Sequence, residues 1–131
     1  MRPCKVRREC TRISLDRIVT AAPPDGALPY DSPGVLELKT AAAWARDQWD
    51  KEPPPIYQVQ VQHQLAVTGH LWGSIAVLIG GRTFRWQDIE RNETFINRLM
   101  NLEHEFWLRI QRRDPPPPDG TRATSEVLAM L

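Results

Sequence analysis

Cysteine, histidine and long apolar runs are all scarce in this chain, and each scarcity removes a class of protein. Two cysteines, Cys4 and Cys10, and three histidines, His63, His70 and His104, are spread over 131 residues. A structural zinc site needs about four Cys or His ligands at close spacing, and no such grouping occurs. No apolar run approaches the roughly 20 residues that span a bilayer, and no hydrophobic signal core opens the chain. The expectation is a reduced, cytosolic protein with no membrane partner. A phosphate-cradling glycine loop and a Ser-His-Asp or Cys-His constellation are missing as well. So is charge of one sign. Seventeen basic against 16 acidic side chains leave +1, which excludes a histone-like polycation but not a local basic groove.

Proline is what the chain has in excess. Eleven of its 12 prolines gather at Pro23-Pro24, Pro29 to Pro33, Pro53-Pro54-Pro55 and Pro115 to Pro118. Proline fixes φ and donates to no ladder, so each cluster separates structured segments. The length suits one domain spanning residues 1–131. Two basic clusters stand near its ends: Arg2, Lys5, Arg7, Arg8 and Arg12, then Arg109, Arg112 and Arg113. Both contact with phosphate and a solvated, dipole-compensating surface fit them.

Hydrophobic periodicity predicts the elements. Thr11 to Val19 alternates as a strand, with Ser14, Asp16 and Ile18 on one face. Gly34 to Thr40 reads as a second strand, pairing with the first across a Pro-rich loop. Thr40 is placed as the cap of a helix through Ala41-Ala42-Ala43 to about Trp49. Ile56 to Thr68 fits two patterns, Gln58-Val59-Gln60-Val61-Gln62 alternating and Tyr57, Val61, Leu65 recurring at helical spacing. The leading proline and trailing Gly69 favour a helix. Trp72 to Ile79 and Thr83 to Ile89 form a hairpin around Gly80-Gly81. Asn92 caps an amphipathic helix to about Arg113 whose apolar stripe holds Phe95, Ile96, Leu99, Met100, Leu102, Phe106, Trp107 and Ile110. A short helix from about Thr124 ends the chain. The fold class is α/β: a mixed sheet flanked by helices.

Within this frame Glu37-Leu38-Lys39 carries chemistry. Strand residues i and i+2 share a face, so Glu37 and Lys39 project together, while Leu36 and Leu38 are assigned to the opposite, buried face. Pairing with the first strand brings Asp16 out on the Glu37 side. Mg²⁺ prefers hard oxygen ligands and needs only one or two carboxylates; Asp16, Glu37 and the Leu38 carbonyl are the candidates. Lys39 is a compact charge suited to orienting water beside a phosphate. The tripeptide alone is a weak motif, since Glu-x-Lys on a half-exposed strand is more often a plain ion pair. Its context adds the specificity.

That context resembles the YqaJ-like viral recombinase family, the family of the phage lambda exonuclease, within the PD-(D/E)xK nuclease superfamily. Ser14 to Val19 looks like the strand bearing the family's metal-binding aspartate, and Val35 to Thr40 looks like its Glu-x-Lys strand. Tyr57 to Gly69 is similar to its glutamine-bearing helix. Ile89 to Glu93, Glu105-Phe106-Trp107 and Pro116 to Gly120 resemble its C-terminal portion. The likeness covers roughly residues 12–131 and implies a restriction-endonuclease-like core with flanking helices. The implied activity is metal-dependent digestion of double-stranded DNA from an end, in phage or prophage recombination. Mg²⁺ is the implied cofactor, with Mn²⁺ as a substitute. Double-stranded DNA, further copies of the chain in a homo-oligomer and a single-strand annealing protein are the implied partners. Asp16 and Glu37 would hold metal, Lys39 would assist the attacking water, and Gln60 would sit beside them, with Tyr57 a second-tier candidate.

Three departures accompany the likeness. Only about a dozen residues precede the aspartate strand, where family members carry a helical region; Glu9 is no convincing substitute for the acidic residue it holds. The segment from Asp16 to Glu37 is long and contains Pro24-Asp25-Gly26, which keeps Asp25 as the alternative ligand. The chain also stops soon after Pro-Pro-Asp-Gly. The alternative reading is a catalytically inactive fragment that binds DNA or a partner subunit. Trp44 and Trp49 remain open between base stacking and packing.

Overall fold

The computed structural model describes residues 16–19 and 32–130. Cys4, Glu9, Cys10, the N-terminal basic cluster and Asp25 lie outside the described residues, as does the strand expected over 11–15. By compactness the chain divides into two units, residues 1–99 and 100–131.

The first unit holds a four-stranded mixed sheet in the order β1-β2-β3-β4: Arg17–Val19, Gly34–Ala41, Trp72–Ile79 and Thr83–Glu90. β1 runs antiparallel to β2, with Arg17 opposite Leu36. β2 and β3 are parallel, pairing Glu37 with Ile75 and Lys39 with Val77. A parallel pair needs a crossover connection, and helix α1, Pro55–Thr68, provides it. Pro55 stands where its missing N–H is no loss, and the Gly69 amide closes the helix on the Leu65 carbonyl at 3.0 Å. β3 and β4 form the hairpin expected around Gly80-Gly81.

Two glycines let the layers close. A Cβ on Gly73 would stand 2.5 Å from Val35 Cγ2 and 3.0 Å from Val61 Cγ1, so its absence admits α1 against the sheet. On the opposite face, a Cβ on Gly34 would stand 2.5 Å from the Trp72 indole. The α1 side is the core: Val35, Val61, Leu65, Ile75 and Val77 are all buried.

Two local expectations are corrected. Thr40 does not cap a helix, because β2 continues through Ala41 and a 3-10 helix follows over Ala43–Trp49 with no side-chain cap. The β2–β3 ladder extends to Ala41 opposite Ile79 and so holds Thr40 in extended geometry. The faces of β2 are also reversed. Glu37 is 3% exposed whereas Leu38 is 49% exposed and Leu36 half-buried. The crossover helix covers the Val35-Glu37-Lys39 face, so apolar side chains on alternate positions do not mark the covered one.

Helix α2, Glu93–Arg112, begins where Asn92 Oδ1 accepts from the Phe95 amide at 2.9 Å. Ile96 is buried, but Leu102, Phe106 and Ile110 of the expected stripe are exposed and Trp107 is half-buried. In the second unit, helix α3 spans Arg122–Leu128, two residues ahead of the expected start, with Thr121 as its cap. The Asp119 carboxyl is held below its usual range by hydrogen bonds from the Thr121 amide and the Thr124 and Thr121 hydroxyls. Among the described residues no helix is long and apolar enough to cross a membrane.

Candidate active site around Glu37

Glu37 sits mid-strand on β2, beneath α1. A lone carboxylate taken out of water costs on the order of several kcal/mol, so its partners decide whether the placement is tolerable. Glu37 Oε1 accepts from Gln60 Nε2 at 2.7 Å and forms a short ion pair with Lys39 Nζ. Glu37 Oε2 accepts from Gln64 Nε2 at 2.6 Å. Lys39 Nζ donates in turn to Gln60 Oε1 at 3.1 Å. Glu37, Lys39 and Gln60 therefore close a hydrogen-bonded ring, and Gln64 ties the second carboxylate oxygen to the helix.

Local structure dictates this meeting. Glu37 and Lys39 share a face because they are two apart on a strand. Gln60 and Gln64 share a face because they are four apart on a helix. Packing α1 over β2 through Val61, Val35 and Gly73 sets the amides above the carboxylate. Lys39, whose side chain is 20% exposed, marks the open side of the cluster, while the Glu37 side chain is 4% exposed.

Asp16 lies at a different point. Its Oδ2 accepts from the Leu38 amide at 2.8 Å, at the β2 edge just past the last paired residue of β1. Carrying the β1–β2 register one residue further sets Asp16 opposite Glu37. Its carboxylate is engaged by the Leu38 backbone and exposed to solvent. Among the described residues no group of three or more His, Cys, Asp or Glu side chains comes together.

Tyr57, one turn before Gln60, lies under the lysine: Lys39 Nζ is 4.9 Å from its ring centroid. Trp49 stacks on the same tyrosine at 5.3 Å and 17°, and is 8% exposed. Trp44, by contrast, is 81% exposed. Gln62 points elsewhere, donating to the Glu90 carbonyl at 2.7 Å and accepting from the Asn92 amide at 2.9 Å, and so ties α1 to the end of β4. A cleft of about 350 Å³ is lined by Trp49, Lys51, Ile75, Val77, Arg85 and Gln87 among others. Glu37, Lys39 and Gln60 are not part of its lining.

Gln64 is the residue that sequence reasoning passed over. Its signal was present, a second glutamine one turn beyond Gln60. Only the burial of both Glu37 oxygens gives it a task.

Comparison with known proteins places the chain in a family. The family model of the YqaJ-like viral recombinase domain matches residues 4–71, just over half of the chain and inclusive of β1, β2 and α1. Over 98 residues the chain is 41% identical to the uncharacterized protein YqaJ of Bacillus subtilis (strain 168). That alignment takes in 72% of this chain but 31% of the relative, so the chain spans about a third of the relative's length. No solved structure matches the chain. On the strength of the family match, the chain belongs to the YqaJ-like viral recombinase domain family.

Proposed function

We propose that the chain carries a Mg²⁺-dependent deoxyribonuclease centre of the PD-(D/E)xK type, acting on double-stranded DNA in phage or prophage recombination. The observation that carries the reading is the buried Glu37 carboxylate, held by Lys39, Gln60 and Gln64. A structural ion pair gains little from such burial, because desolvation offsets the Coulombic attraction.

The donor set suits a hard cation that keeps most of its waters. Glu37 on β2 and Asp16 just ahead of β1 would offer carboxylate oxygens, and the Leu38 carbonyl, next after Glu37 on the chain, would offer another. Asp16 is preferred to Asp25 because its carboxylate already lies against Leu38. When bound, the cation supplies Lewis acidity that acidifies water and offsets charge on the scissile phosphate. Lys39 orients the attacking water and screens the phosphate. Gln60 contacts both Glu37 and Lys39 and fixes their separation.

The test is digestion of linear duplex DNA with and without EDTA. Glu37→Gln or Lys39→Ala abolishes Mg²⁺-dependent degradation while circular dichroism retains the folded spectrum. Digestion at the parent rate by either variant overturns the reading. Closed circular duplex stays intact if digestion starts from an end. A chain that binds DNA in a salt-sensitive way but cuts neither substrate in Mg²⁺ or Mn²⁺ is the inactive fragment instead.

A further inference from the structure

A lysine ammonium on a four-carbon stem is a mobile charge, and a site that needs it in one place has to hold it there. Two of the groups holding Lys39 are Glu37 and Gln60. Glu37 has other work in the reading above, since it would hold the cation, and Gln60 is shared with Glu37. The third is of a different kind. The face of the Tyr57 ring lies 4.9 Å from Lys39 Nζ, within the distance at which a ring quadrupole attracts a cation.

The ring is itself fixed. Trp49 stacks on Tyr57 with ring planes 17° apart, a geometry that aromatic pairs favour. Trp49 is anchored in turn from the far strand of the sheet. Arg85 on β4 donates to the Trp49 carbonyl at 2.8 Å and pairs with Asp50 Oδ1 at 2.8 Å. The 3-10 helix between β2 and α1 thus ends on a residue whose carbonyl is held from β4 and whose indole stacks on Tyr57.

We propose that Tyr57, backed by Trp49, is a positioning residue that seats the Lys39 ammonium on its ring face. The proposal rests on the nuclease reading for its purpose, but its geometry is testable without it. Contact with a π face needs no acceptor atom, so it does not depend on the Glu37 oxygens that a cation would take. The seat keeps the charge aimed at the Glu37 corner throughout. The ring and not the phenol hydroxyl is the working part, which makes Tyr57→Phe the conservative replacement and Tyr57→Leu the disabling one.

The experiment pairs proton NMR of the metal-free protein with kinetics on linear duplex DNA. In the parent protein the Lys39 ε-methylene protons resonate upfield of ordinary lysine, through the ring current of Tyr57. Tyr57→Phe preserves that shift and Tyr57→Leu removes it. Kinetically, Tyr57→Leu lowers kcat on the order of 10- to 100-fold, the scale of a misplaced catalytic group, with KM for DNA nearly unchanged. Tyr57→Phe recovers most of that loss. An ordinary Lys39 shift in the parent protein overturns the proposal, and so does a Tyr57→Phe loss as deep as that of Tyr57→Leu. Should the parent protein cut no DNA, the nuclease reading fails while the NMR shift still decides the seat.

Discussion

The two faces of β2 invert the usual relation between polarity and burial. On one, Val35, Glu37 and Lys39 lie beneath α1, and the carboxylate is buried as deeply as its apolar neighbours. On the other, Leu36 and Leu38 face away from the helix, with Leu38 about half exposed. Exposed apolar side chains continue across the sheet on this face: Trp86 stands in register with Leu38 across the buried Ala76, and Leu78 and Phe84 with Thr40. Leu78, Phe84 and Trp86 are exposed, the last two 5.7 Å apart. The difference teaches that a strand's covered face is chosen by its crossover helix. Polar groups are admitted to that face when the helix brings partners for them.

The most severe way to break the comparison is to make the same apolar-to-polar change on both faces. Val35 is fully buried and touches the space left by Gly73. Val35→Ser removes apolar contact and buries a hydroxyl, at a cost of about 2–4 kcal/mol. Urea denaturation followed by tryptophan fluorescence measures it. A loss below about 1 kcal/mol would show that α1 does not seal this face.

A smaller effect is expected where polarity on the covered face is stripped of one partner. Gln64→Leu fits an apolar side chain into a site 2% exposed, yet leaves Glu37 Oε2 without its 2.6 Å donor. An unsatisfied buried acceptor costs about 1–3 kcal/mol. Loss of stability in Gln64→Leu, restored in a Glu37→Gln, Gln64→Leu pair, identifies the carboxylate as the source. Equal destabilisation in the single and double variants contradicts that assignment.

Much of this was legible in the sequence, for reasons that differ by residue. Pro55 and Gly69 bounded α1 because proline at a helix start and glycine after its end are local signals. Glu37, Lys39 and Gln60 were found together because strand and helix periodicities fix faces within each element, and resemblance supplied the link between elements. Gln64 was passed over because its role depends on Glu37 being buried, which the two leucines argued against. The strand residues Leu36 and Leu38 misled because an apolar side chain reports a preference, whereas the path of the crossover decides coverage. Thr40 misled for a related reason, since a good capping residue loses to a ladder that runs on to Ala41. Sequence alone leaves Trp49 open and makes Tyr57 only a second-tier candidate, because their stack joins two elements whose spacing no local pattern encodes.

The gentlest test concerns the open face itself. Leu38→Ser changes a side chain that is 49% exposed and leaves the backbone groups of β2 in place. Substitutions at such surface positions usually stay within about 0.5 kcal/mol. The Asp16 carboxylate accepts from the Leu38 main-chain amide, so that hydrogen bond survives the change of side chain. Leu38→Ser is therefore expected to leave both the urea midpoint and Mg²⁺-dependent digestion near parent values, while Val35→Ser three residues earlier shifts the midpoint strongly. A Leu38→Ser loss approaching that of Val35→Ser would mean that the leucine face is covered in solution, and the contrast between the faces would then be one of partner and not of exposure.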